Sequence, residues 1–161
     1  MIVYHGSAVE IAKPDLKYSK NNLDFGKGFY VTTFKEQAEK WALRKSVREN
    51  KGAIVNIYEV SNFEKYRVKR FTEANADWLN FVCDCRNGKN VYCNYDVVVG
   101  NVADDEVIKC VRMYMRGVWD EVRTIEEMKY YKQNDQIAFL SQLIIDETVS
   151  FKGSYGVKND G

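Results

Sequence analysis

Short runs of branched and aromatic residues are scattered irregularly among segments of helical periodicity, and that order constrains the fold most. The runs are MIVYHG (1–6), GFYVT (28–32), AIVNIYEV (53–60), YDVVVG (95–100), DQIAFLSQ (135–142) and TVSFKG (148–153), each short and rich in strand-forming residues. The VVV of YDVVVG is a continuous apolar run ended by glycine, as expected of a central strand. Between them, Phe34, Ala38, Trp41 and Ala42 share one face at helical spacing, predicting a helix over 34–50. Thr33 and Glu36 stand in capping-box spacing before it. Trp78, Phe81, Val82 and Cys85 predict a second helix. ADDEVIKCVRMYMRG (103–117) predicts a third, with aspartates at its start and Gly117 at its stop, and a fourth follows over about 119–132. The order lacks a repeated strand–helix–strand unit, so the class is α+β rather than a doubly wound parallel sheet. Pro14 is the only proline and no Ser/Gly-rich linker interrupts the chain, which predicts a single domain over 1–161 with a loose terminus, GVKNDG.

A chain of 161 residues, 45% hydrophobic and 29% charged, is long enough to bury a core. A net charge of +1 gives no general attraction to nucleic acid or to an anionic membrane. No signal-peptide pattern opens the sequence and no run approaches the roughly 20 apolar residues of a membrane span, so a cytoplasmic protein is expected. The cysteines, Cys83, Cys85, Cys93 and Cys110, are then expected as reduced thiols. Their spacing lacks a C-x2-C knuckle, and the sole histidine, His5, is distant in sequence, so no metal site is expected. Neither of the common glycine-rich phosphate loops is present.

Two stretches carry chemistry. In DFGKGFYVTT (24–33), Gly26 and Gly28 flank Lys27 just before an aromatic strand. Glycines let a ligand approach the main chain, and Tyr30 would offer a ring face to a planar group. In VYHGS (3–7), His5 lies at a strand end beside Gly6. The glycine leaves N–H and C=O open for paired bonds to an amide, and a neutral imidazole can bond a sugar hydroxyl. A planar carboxamide with a ribose beside it, the nicotinamide riboside end of NAD, meets these demands.

YHGS, then FGKGFYVTT about twenty residues on, resembles the nicotinamide-pocket motifs of ADP-ribosyltransferases. The match is to the histidine–tyrosine branch shared by diphtheria-type toxins and poly(ADP-ribose) polymerases. With PDL, QAEKWA, YDVVVGNVADD and QIAF added in order, the chain is similar to a bacterial family of domains of unknown function placed with these transferases. The resemblance implies a split antiparallel β-sandwich with peripheral helices. It also implies cleavage of NAD, taken as substrate without a metal, and transfer of ADP-ribose to a macromolecular acceptor, protein or nucleic acid. By analogy the setting would be a toxin or phage-defence system with an inhibiting partner protein.

By this resemblance His5 bonds the ribose 2′-hydroxyl, Gly6 clamps the carboxamide, and Ser7 supports the same end. Tyr30 stacks on nicotinamide within the frame of Phe25, Gly26, Lys27 and Gly28. Lys27 reads equally well as an exposed loop lysine. Trp41 falls eleven residues after Tyr30, where the polymerase branch carries a second tyrosine. The family's catalytic glutamate is replaced: Gln136 or Asp135 stands near its place, Gln136 being preferred and Glu147 a lesser alternative. A glutamine bonds the hydroxyl without bringing charge, which leaves open an inactive NAD-binding module or an NAD glycohydrolase. Asp104 and Asp105 are helix caps by default and could line the cleft. Arg86 and the basic run KYRVKR (65–70) could meet the pyrophosphate, although a solvated face accounts for the run.

Overall fold

The computed structural model describes residues 1–132 and 134–159. Among these residues, seven strands and five α-helices run β1 (Ile2–Ser7), β2 (Phe29–Val31), α1 (Lys35–Glu49), β3 (Ile54–Val60), β4 (Val68–Arg70), α2 (Ala76–Arg86), β5 (Val97–Asn101), α3 (Asp105–Met115), α4 (Glu121–Met128), β6 (Asp135–Phe139), α5 (Gln142–Thr148) and β7 (Val149–Gly156). The strands form two sheets, β1-β3-β7 and β2-β6-β5-β4. All pairings are antiparallel except β4 with β5, which run parallel. The architecture is α+β, as the irregular order of elements predicts, and the parallel edge pair departs from the expected all-antiparallel arrangement.

The sheets pack face to face. Val3, Tyr58 and Val60 of the first meet Phe29, Val31, Val97, Ile137 and Phe139 of the second, with Ile144 and Ile145 of α5 closing the layer. The outer face of the second sheet, through Val98 and Ala138, packs on α2, α3 and α4 around Trp78, Leu79, Val107, Val111 and Met128. Trp78 is fully buried, and its indole N–H donates to the Asn101 carbonyl at 2.9 Å, meeting the polar demand that burial imposes. On the far side, Ala38 and Ala42 of α1 lie on Val55 of β3. Small residues on that helix face let it approach the sheet closely.

Several boundaries depart from the sequence expectations for physical reasons. Phe34 occupies the N-cap of α1 with no side-chain bond, because Thr33 is taken elsewhere: its hydroxyl and N–H both donate to Asp135. The expected capping box is therefore absent. The helix predicted over 119–132 stops at Met128. β6 ends at Phe139, so the LSQ of DQIAFLSQ lies beyond the strand, and Ser141 caps α5 by accepting from the Ile144 N–H. β4 falls inside the basic run, where period and composition gave no strand signal. The GVKNDG terminus begins at the end of β7, and its last two residues lie outside the described ones.

Candidate functional site

The site is built where the two sheets meet. Tyr4 of β1 exchanges both backbone bonds with Thr32, just past β2, at 2.8 and 3.0 Å. Residues two apart in a strand send their N–H and C=O to the same side. Gly6 thus points its own pair off the same edge, toward the place Tyr30 would occupy in a continued ladder. The ladder does not continue. Instead the His5 side chain enters the gap, and its Nδ1 bonds the Tyr30 carbonyl at 2.6 Å. A carbonyl only accepts, so Nδ1 carries the hydrogen and Nε2 is left as an acceptor. Burial, reinforced by the nearby charge of Lys45, pushes the His5 pKa down to about 3 and keeps the ring neutral at physiological pH.

The imidazole packs against Phe29, ring centroids 4.7 Å apart. Phe29 and Tyr30 alternate across β2, so imidazole and phenol flank the strand from its two faces. A ligand touching both lies along the strand edge. The half-buried Tyr30 ring sits beside the fully buried Phe25 (6.4 Å, nearly parallel). Its hydroxyl donates to the Gly26 carbonyl at 2.6 Å and accepts the Phe25 N–H at 2.9 Å. The phenol thereby builds the glycine loop from inside, and with its hydroxyl desolvated its pKa is held well above the usual tyrosine value.

The glycines serve packing more than the sequence implies. A side chain on Gly6 would lie 2.1 Å from the Ala38 carbonyl oxygen and 2.8 Å from the Trp41 Cβ. Gly6 therefore admits α1 onto β1 and sets Trp41 directly above it. Gly26 has φ +87° and lies under the Tyr92 ring, a position no other residue takes without strain. Gly28 fits against β6 and exchanges bonds with the Ser19 hydroxyl at 2.8 and 3.0 Å. Ser7 is buried and accepts from the Val9 N–H. Phe25 contributes from below as core. Lys27 is half-buried, with no hydrogen bond or ion pair to a described residue.

For the third position, the structure separates the alternatives. β6 pairs with β2 with Tyr30 opposite Ala138, so Gln136 shares a face with Tyr30 as a diagonal neighbour, about 7–8 Å away. Gln136 is buried, and its Nε2 donates to Asp24 Oδ2 at 3.2 Å. Asp135 faces the other way, and its carboxylate is consumed by Thr32 and Thr33. Glu147 sits on α5 in a surface pair with Lys65. Of the three, Gln136 is the one beside Tyr30.

Arg86 is not free for a pyrophosphate: its guanidinium clasps the buried Asp24 at 2.5 and 2.7 Å. The basic run is a solvated face of ion pairs, Arg67–Asp96, Lys69–Asp77 and Arg70–Glu64. Asp104 caps α3 through the Val107 N–H, and Asp105 pairs with Arg44 of α1. Two residues the sequence reading passed over stand close by. One is Asp24; the other is Lys45, whose pKa burial lowers and which has no acidic partner among the described ion pairs. Lys45 follows Trp41 by one helical turn, a spacing that could have drawn notice.

A depression of about 510 Å³, bordered by Thr33, Arg70, Val99, Asp135 and Ile137, opens on the opposite face of β6 and touches none of His5, Tyr30 or Gln136. Cys83, Cys85 and Cys110 are buried free thiols, and Cys93 is exposed. Among the described residues no His, Cys, Asp and Glu side chains gather as a metal site, and no helix is long and apolar enough to cross a membrane. No curated protein shows significant similarity to the chain. A family profile described as "Protein of unknown function (DUF3990)" matches residues 1–151, and the chain belongs to that family.

Proposed function

We propose that the chain is an ADP-ribosyltransferase-like domain that binds NAD along the β1–β2 edge and cleaves it at the nicotinamide–ribose bond. ADP-ribose then passes to a macromolecular acceptor, as in a mono-ADP-ribosyltransferase. One observation carries the reading: a neutral imidazole whose Nε2 is left as an acceptor, the Gly6 backbone edge past the last bridge and the partly buried Tyr30 ring lie around β2 where the ladder between the two sheets breaks off. The Gly6 N–H and C=O complement a carboxamide, and the Tyr30 ring gives it a planar surface, with Trp41 above Gly6. His5 Nε2 accepts from a ribose hydroxyl, as does Gln136. Lys45 supplies positive charge for the anionic part of the dinucleotide.

As the bond to nicotinamide breaks, positive charge grows on the ribose. Acceptors on the 2′-hydroxyl strengthen as it develops. The electron pair of the broken bond leaves with nicotinamide, and the acceptor nucleophile attacks the anomeric carbon, losing its proton. Gln136 brings no charge to that step, which favours slow transfer and sustains a second reading, an NAD-binding module or a glycohydrolase with water as acceptor. A macromolecular acceptor and an inhibiting partner protein belong to the proposal by family analogy alone.

Incubation with NAD labelled on adenine, following free nicotinamide and labelled macromolecule, tests the scheme. Nicotinamide with label transfer supports a transferase, and nicotinamide alone supports hydrolysis. Binding without either leaves a module. If NAD neither binds nor is consumed, the reading is wrong.

A further inference from the structure

We propose that Asp24, clamped by Arg86, is a positioning residue that fixes which end of the Gln136 carboxamide faces the cleft. The inference rests on the reading above for its functional consequence, but its structural half stands alone. Asp24 is buried in the loop before Gly26, and its Oδ1 takes both contacts from the Arg86 guanidinium. Its Oδ2 then accepts from the Ala103 N–H at 3.3 Å and from Gln136 Nε2 at 3.2 Å. The Asn101 carbonyl lies 3.5 Å from the same Nε2. The surroundings of that end are acceptors, so only the amide nitrogen can point there. Gln136 Oε1 takes no bond from a described residue and is not among the buried atoms left without a partner. It is the free end. A carboxamide otherwise offers a donor or an acceptor with equal ease; here it is held as an acceptor, the polarity that a ribose hydroxyl engages while positive charge grows on the sugar.

The arrangement also accounts for a glutamine here. A glutamate at 136 would set a second carboxylate 3.2 Å from Asp24 Oδ2, and two such groups cannot both ionise at that distance. The carboxylate and the amide are expected to be exchangeable as a pair and not singly.

The test is a swap of the two groups. In Asp24→Asn, the guanidinium retains Oδ1 and the new Nδ2 takes the place of Oδ2, facing two donors. Gln136 must then turn its Oε1 inward and its Nε2 toward the cleft. We expect kcat for nicotinamide release to fall by about 10-fold or more, as for other outer positioning contacts, with KM for NAD moving much less. Gln136→Glu alone is expected to be impaired and to acquire a new pH dependence from the shared proton. In the double variant Asp24→Asn/Gln136→Glu, the Nδ2 donates to the carboxylate, and turnover should recover above either single variant. A structural role alone would lower the melting temperature without this rescue.

A measurement on the unmodified protein keeps the structural half separate. With 15N-glutamine labelling, the Gln136 side-chain NH2 protons should show a nuclear Overhauser contact to the Ala103 amide proton. Absence of that contact, or a double variant no better than its worse parent, overturns the proposal. An unmodified protein that shows the contact yet never consumes NAD upholds the amide orientation and overturns the transferase reading.

Discussion

Removing the Tyr30 hydroxyl separates the structural part of this residue from its proposed stacking surface. Tyr30→Phe keeps the ring but strips the partner from two buried backbone groups, the Gly26 carbonyl at 2.6 Å and the Phe25 N–H at 2.9 Å. Each buried group left unpaired costs about 1–3 kcal/mol. The residue is only partly buried as a whole, but its hydroxyl is desolvated, which puts the total at roughly 2–6 kcal/mol. For a chain of this length that lowers the melting temperature by roughly 4–24 °C. Tyr58→Phe is the internal control. The Tyr58 hydroxyl bonds one group, the Ile11 carbonyl at 2.6 Å, and an orphaned carbonyl is the better tolerated kind, so its loss should cost about 1 kcal/mol. Paired urea and thermal denaturations check the order. A Tyr58→Phe effect equal to or larger than that of Tyr30→Phe would refute the claim that the phenol holds the glycine loop. In the folded fraction, Tyr30→Phe should still bind NAD, whereas Tyr30→Ala should not, since the ring face is lost only in the second.

Other expectations follow from the same geometry. Gly6→Ala drives a methyl into the backbone of α1, 2.1 Å from the Ala38 oxygen and 2.6 Å from the Ala42 nitrogen, and should cost about 1–3 kcal/mol or more in urea unfolding, while Gly52→Ala, with nothing within 4 Å, should stay within about 0.5 kcal/mol. For pH, His5 has its pKa lowered to about 3 on folding, so below its ordinary value of about 6.5 the unfolded chain binds the extra proton. Its stabilisation is complete above that value and declines toward pH 3, with a slope of at most about 1.4 kcal/mol per pH unit. A His5→Asn variant, which keeps a donor for the Tyr30 carbonyl, should lack this component in the difference between the two stability–pH curves. Lys69→Ala, which removes a surface pair with Asp77 and the ammonium's contact with the Phe71 ring, should change stability by only about 1 kcal/mol and leave nicotinamide release untouched.

Local signals in the chain made most of the elements and half of the candidate site legible. Strands β1 to β3 and β5 to β7 and helices α1 to α4 follow from composition and periodicity, because each buries one face against a neighbour and its apolar spacing records that burial. β4 was hidden because its three residues, Val68 to Arg70, form an edge whose charges face solvent. α5 was hidden because its seven residues hold only a three-residue apolar run, Leu143 to Ile145, which reads as strand or helix alike until the Ser141 cap decides. The same division holds at the site. His5, Gly6 and Tyr30 were legible because the two motifs that carry them are contiguous in sequence.

What periodicity cannot convey is which polar groups meet across long separations. Asp24 looked like one more loop residue, and Arg86 looked like a free cation. Their contact spans 62 positions, and the one from Gln136 to Asp24 spans 112. Burial turns that distance into a constraint: a carboxylate removed from water must be paired and hydrogen-bonded, so Asp24 fixes the chemistry of everything it touches. Glutamine at 136 is then better read as the complement of a buried aspartate than as a glutamate that has lost its charge. The polarity of the proposed cleft follows from a loop residue 112 positions away in the sequence.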